Sequence, residues 1–172
     1  MRELKLPAFK YILNPVEEEL IEKSSETCCC CGKKNGYIVS SVMYTKYETG
    51  PICPWCVVSG EACKKFEGFY NEVEKRAGIS EDIIDNIELR TPGLVTFQDQ
   101  LWPVHCRDGC QFLGHFFSDD LPKVDKNFLD KFLEENGISE SELLELENSE
   151  PHYYVYKFSC LHCKQYVLLF DP

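Results

Sequence analysis

The sequence predicts an α+β fold, and three observations carry that prediction. Eight cysteines fall into four short pairs: Cys28/Cys31, Cys53/Cys56, Cys106/Cys110 and Cys160/Cys163. Segments rich in β-branched and aromatic residues adjoin the pairs, as expected of strands. Other stretches place apolar residues at three- and four-residue steps, the helical period. Two thiolates separated by two or three residues bind one metal ion, and two such pairs complete a tetrahedral all-sulfur site. The predicted architecture is therefore two zinc-stapled β-hairpin or treble-clef-like units with packed helices. An N-terminal unit occupies residues 1–90 and a C-terminal unit 91–172, packed as one compact body.

The elements follow in order. Leu6 to Pro15 carries Phe9, Tyr11 and Leu13 in alternation between two prolines, which reads as an extended piece. Val16 to Lys23 reads as a short acidic helix or a solvated loop. Gly36 to Tyr47 has strand composition, and Glu48 to Pro51 is a turn. Ser59 to Gly78 places Ala62, Phe66, Phe69, Tyr70, Val73 and Ala77 at helical spacing and ends at glycine, so one long helix is expected. Ser80 to Leu89 opens on an N-cap residue and sets Ile83, Ile84 and Ile87 on one face. Leu94 to His105 has strand character broken at Pro103. Asp125 to Gly137 is amphipathic through Phe128, Leu129, Phe132 and Leu133. Ser139 to Leu146 shows capping-box spacing between Ser139 and Glu142. Tyr153 to Phe158 and Gln165 to Phe170 form a hairpin whose turn carries Cys160 and Cys163.

Composition bounds the function. The chain has 172 residues, 44% of them hydrophobic and 13% aromatic, enough to build a core. No apolar run is long enough to span a membrane, and Met1 to Phe9 lacks the apolar stretch of a signal peptide. The eleven cysteines are therefore expected to be reduced, eight of them metal-bound, in a cytoplasmic setting. Net charge is −11, and eight thiolates on two Zn2+ would deepen it by about four charges. Such a surface repels phosphate backbones, so no nucleic acid and no membrane is expected, and a basic protein is the partner that suits it.

Gly32 supports the turn of the first pair, because glycine accepts positive φ. Cys30 competes with Cys28 as the first ligand. Which pairs share an ion is open, since Cys28/Cys31 with Cys160/Cys163 would make a cross-brace. His105 and His162 flank the second set as alternative ligands. Cys29, Cys30 and Cys63 are left over and read as small buried hydrophobes. Cys53-Pro54-Trp55-Cys56 also resembles a dithiol redox motif, and four thiolates suit an iron–sulfur cluster. Two matched pairs favour two structural Zn2+ with no vacant position, which gives catalysis little support. The alternative is a thiol- or metal-dependent enzyme using Cys53/Cys56 or the second site. Trp55, Arg90, Gln98, Trp102, His105 and Asp108 are candidate surface residues. They read either as core and turn residues or as a groove that meets a partner, Trp55 as an aromatic anchor.

The chain resembles the CbrC-like family of uncharacterised bacterial proteins. The match runs through Leu6-Pro7 with Phe9 and Tyr11, and Cys30-Cys31-Gly32-Lys33 with Gly36-Tyr37-Ile38. It continues through Ile52-Cys53-Pro54-Trp55-Cys56 with Gly60, Lys65-Phe66 and Gly68, then Arg90-Thr91-Pro92-Gly93 and Gln98 with Trp102. It ends on His105-Cys106 with Asp108, Cys110, Phe112 and Gly114, and on Cys160-Leu161-His162-Cys163. Phe97 departs from it, standing where tryptophan is expected. The resemblance implies a cytoplasmic bacterial protein, linked by name with colicin tolerance, and supplies no enzymatic activity or mechanism. The expected function is a non-catalytic zinc-binding protein, an acidic interaction module of the immunity or tolerance type.

Overall fold

The computed structural model describes residues 5–73, 78–94, 96, 101–146 and 154–171. Gln98 and Phe97 lie outside them. A mixed α+β architecture is present. Four antiparallel strands form the central sheet in the order β5-β6-β7-β8: Val104–His105, Asp108–His115, Tyr154–Cys160 and Tyr166–Asp171. Two small two-stranded sheets precede it. One pairs β1 (Ile21–Lys23) antiparallel with β2 (Tyr37–Val39); the other pairs β3 (Glu72–Val73) parallel with β4 (Leu101–Trp102).

Side chains alternate across the central sheet, and each face buries a different set. Tyr156, Phe158 and Cys160 of β7 join the main core with Tyr11, Ile21, Val57, Ile87 and Trp102. That core draws on residues from both sides of position 90. Val155 and Leu168 turn the other way, onto Leu129, Phe132 and Leu143. A bulge between Phe112 and Gly114 shifts the phase of β6. Phe112 therefore faces the main core while Phe116 reaches the second cluster. Gly114 takes φ +111° there, and a side chain would run into the Glu18 carboxylate.

The segment expected as one helix over 59–78 folds otherwise over residues 59–73, and Ala77 lies outside the described residues. α1 (Pro54–Val58) and α2 (Glu61–Phe66) are separate short helices, divided at Gly60 with φ +76°. Helical backbone stops at Glu67, and Phe69 then exchanges backbone hydrogen bonds with Tyr44 at 2.8 and 3.1 Å. A Cβ at Gly68 would come within 2.7 Å of the Tyr44 carbonyl, so the close approach requires glycine. Pairing with Tyr44 thus overrides the local helical pattern. The segment expected as a strand from Gly36 to Tyr47 pairs with β1 over Tyr37–Val39, and Tyr44 bridges to Phe69 instead. The acidic stretch before it turns on Pro15, whose carbonyl accepts from Leu20 and Ile21. It then becomes β1, because Leu20 and Ile21 are buried.

The remaining helices follow their local signals. α3 spans Glu81–Arg90 after Ser80. α4 spans Lys126–Asn136 between Asp125, which accepts from the Phe128 N–H, and Gly137 at φ +65°. α5 spans Glu140–Glu145 behind the Ser139/Glu142 capping box. No helix among the described residues is long and apolar enough to cross a membrane.

Two candidate metal centres

The first centre is assembled from two tight turns. Gly32, at φ +72°, donates to the Cys28 carbonyl at 2.8 Å and closes the Cys28–Cys31 loop. Cys53 is the N-cap of α1 and Pro54 occupies its first turn, which brings Cys56 round onto the same side. Donor atoms of Cys28, Cys31, Cys53 and Cys56 all lie within 4.8 Å of one another. The Cys28–Cys56 and Cys31–Cys53 sulfurs are each 3.9 Å apart. A tetrahedral ion with metal–sulfur bonds of about 2.3 Å has S···S edges of about 3.8 Å, so the thiols stand at ligand spacing. The Cys53 N–H points at the Cys28 sulfur at 3.3 Å, and the Asn35 amide points at the Cys53 sulfur at 3.2 Å. Burial pushes the Cys28 thiol up, but N–H groups of Cys31, Cys53 and Cys30 with the Cys53 thiol bring it down to about 7. Cys28 and Cys31, not Cys30, are the residues of the cysteine run whose sulfurs join this cluster.

The second centre sits at the end of the central sheet. His105, Cys106, Cys160 and Cys163 bring one donor atom each within 4.8 Å. His105 Nδ1 lies 3.3 Å from the Cys106 sulfur and 3.4 Å from that of Cys163. Cys106 and Arg107 form the β5–β6 turn at φ +51° and +61°, which swings Cys106 back over His105. Cys160 ends β7, and Cys163 follows in the turn closed by Lys164 N–H on the Cys160 carbonyl. The N–H groups of Cys163 and His162, with the side chains of His105 and Cys163, offset the burial of Cys160 and hold its thiol down to about 6.

Cys110, expected as the fourth ligand, is not part of this group; His105 stands in its place. The physical reason is the left-handed turn at Cys106 and Arg107, which sets the Cys106 sulfur beside His105 Nδ1. Cys110 faces Cys160 across β6 and β7 but points into the main core with no exposed surface. Burial pushes its thiol up to about 12. It packs there as a small apolar residue, like the buried Cys63.

Of the six candidate surface residues, Gln98 lies outside those described, and the other five differ in burial and contacts. Trp102 is buried, edge-on to Phe158, with its indole N–H on the Cys110 carbonyl at 2.9 Å. Trp55 is half-buried against the main core. Arg90, at the end of α3, lies along Gly60. His105 belongs to the second centre. Asp108 is buried beside it and collects hydrogen bonds from Tyr11 (2.6 Å), Lys10 (3.1 Å), Gly109 N–H (2.8 Å) and His162 Nε2 (3.1 Å). Burial raises the Asp108 carboxyl, but Tyr11, Lys10 and His162 outweigh it and hold the carboxyl below its ordinary value. Lys10, Tyr11 and Asn35 were not expected at these sites. Only the Asp-Gly after the Cys106 turn hints at a carboxylate pinned there.

Comparison with known proteins places this geometry in a family. The family model described as uncharacterised protein family UPF0167 matches residues 6–172, which include both centres. The chain belongs to UPF0167. The UPF0167 protein PA1536 of Pseudomonas aeruginosa is 31% identical over 167 residues, covering 93% of each chain. The UPF0167 proteins Mb2317 of Mycobacterium bovis and MT2352 of Mycobacterium tuberculosis are each 30% identical over 113 residues. These cover 64% of this chain and 60% of theirs. No solved structure matches significantly. Membership in UPF0167 is the relationship supported, coarser than the CbrC-like colicin-tolerance resemblance.

Proposed function

We propose that this UPF0167 protein is a non-catalytic zinc protein, with two structural Zn2+ ions that hold an acidic protein-binding surface in shape. The observation that carries the reading is the S···S separation of 3.9 Å in the first centre, close to the edge of a tetrahedral zinc–thiolate site. Four thiolates, or three thiolates with one imidazole, each make a complete structural ligand set, which leaves no position for a reacting water. The redox reading of Cys53/Cys56 is weakened by burial, which pushes both thiols up and disfavours the reactive thiolate.

The partner side of the proposal rests on charge. The chain carries −11, and Glu18, Glu19 and Glu22 line a groove of about 760 Å3 together with Leu20, Phe112 and Tyr156. An acidic groove with an apolar floor suits a basic protein, and a basic nuclease toxin is one partner that fits an immunity or tolerance role in the bacterial cytoplasm. Metal analysis with thiol titration tests the zinc part. The expected result is two zinc per chain with four thiols free: Cys29, Cys30, Cys63 and Cys110. One zinc with an additional reactive dithiol would favour the enzyme reading instead. The partner part is tested with purified colicin nuclease domains at two salt concentrations. Binding that weakens steeply with salt is expected, and no binding at low salt would remove that partner class.

A further inference from the structure

The two centres differ in how they are housed. In the first, three of the four ligands are buried; in the second only Cys160 is, while Cys106 and Cys163 are exposed and His105 is half-exposed. Cys28, Cys53 and Cys56 are part of the main core beside Ile52 and Val57. Lys65 reaches across to the Cys29 and Cys30 carbonyls at 2.8 and 3.0 Å and ties α2 to the first loop. Any movement that opened this centre would have to open the core.

The second centre hangs on two sheet-end turns. Cys106 and Arg107 are consecutive non-glycine residues in the left-handed region, a conformation that costs any residue with a Cβ. Such a two-residue turn ordinarily takes Asn-Gly or Asp-Gly. Its opposite wall is the Cys160–Cys163 turn, carried by a different hairpin. Besides the contacts that the ligand residues make among themselves, His162 Nε2 on Asp108 Oδ2 at 3.1 Å joins the two turns. Asp108 is in turn fixed by Lys10 and Tyr11 of the N-terminal segment, at 3.1 and 2.6 Å.

Resting on the two-metal reading above, we infer that the second centre is an exchangeable site for a soft divalent cation while the first is permanent, and that Asp108 is the positioning residue that sets how long the second ion stays. Asp108 touches no ligand sulfur. It acts by holding the ligand-bearing turns in register, as outer hydrogen bonds do at metal sites, where their loss costs about 10- to 100-fold in affinity.

The test loads the intact chain with Zn2+ and follows release to a chromogenic chelator in excess. Two phases of equal amplitude are expected, the faster from the second centre. Cys106→Ser removes the fast phase and leaves the slow one. Asp108→Asn accelerates the fast phase by about 10-fold or more and leaves the slow phase unchanged. His162→Asn does the same in smaller measure, and because its side chain is exposed that variant keeps the fold and serves as the control for a folding failure of Asp108→Asn. Arg107→Gly relieves the turn and slows the fast phase. A merely structural role for Asp108 would move both phases together. Release of both ions in a single phase, or a fast phase that survives Cys106→Ser, overturns the inference. A chain that binds fewer than two ions overturns instead the two-metal reading on which it rests.

Discussion

Cys110 and Cys160 are direct neighbours across β6 and β7, yet their surroundings drive them apart. Burial raises both thiols, but N–H groups and the His105 and Cys163 side chains hold Cys160 down to about 6, whereas burial together with the neighbouring Cys160, Cys163 and Asp108 pushes Cys110 up to about 12. The difference predicts opposite outcomes for two substitutions. Cys110→Ala leaves metal content unchanged and costs roughly 1–2 kcal/mol of folding stability, the ordinary range for a small core deletion. Cys106→Ser lowers metal content by one ion per chain. Mass spectrometry of the native protein with urea melts checks both. The first centre was legible as paired cysteines because C-x2-C turns close locally, with Gly32 marking one of them. The choice of His105 over Cys110 was not, because it depends on the left-handed turn at Cys106 and Arg107. Neither residue is of the type that announces such a turn.

Elements divide by where their determinants lie. α4 and α5 were readable because their caps are local: Asp125 and Gly137 bound one, and Ser139 with Glu142 opens the other. Ser139→Ala should cost about 1 kcal/mol, seen as early fraying of α5 in hydrogen exchange. The helix expected over 59–78 failed because Tyr44, far away in sequence, captures Phe69 by backbone pairing. The 3-10 turn Ser118–Lys123 shows another long-range tie. Buried Asp120 accepts from Lys157 of β7 at 2.6 Å, from Lys123 at 2.8 Å and from the Phe117 N–H at 3.2 Å. Burial raises the Asp120 carboxyl, but Lys123, Lys157 and the Phe117 N–H together hold it below its ordinary value. A carboxyl lowered in the folded state contributes stability that is complete above its unfolded pKa of about 3.9 and is lost as pH falls through the lower folded value. Asp120→Asn should therefore be less stable than the parent by about 2–3 kcal/mol near neutral pH. That gap should shrink below about pH 4. Urea melts of both chains across this range measure the difference directly, and a gap independent of pH would show that the charge is not what matters.

At the scale of the whole molecule, the candidate metal centres and the hydrophobic cores share residues. Cys28, Cys53 and Cys56 are members of the main core, and Cys160 joins the same cluster from the central sheet. The second core, around Leu129, Phe132 and Leu143, packs on the far side of that sheet and depends on its strands staying paired. Structural zinc binding is worth about 10–16 kcal/mol in small thiolate sites, whereas a domain's net stability is about 5–15 kcal/mol. Stripping the first centre should therefore unfold the chain as a unit rather than loosen one end. A strong chelator should abolish the near-ultraviolet circular dichroism of the packed aromatic residues, such as Trp102 against Phe158. Restoring zinc under reducing conditions should recover it. Graded chelation should first remove one ion, with little loss of signal, because the second centre lies at the sheet end and most of its ligands face solvent. The aromatic signal should collapse only with the second equivalent. If the signal falls in proportion to total metal from the outset, the centres share the load equally. If full stripping leaves it intact, the two hydrophobic cores alone hold the fold.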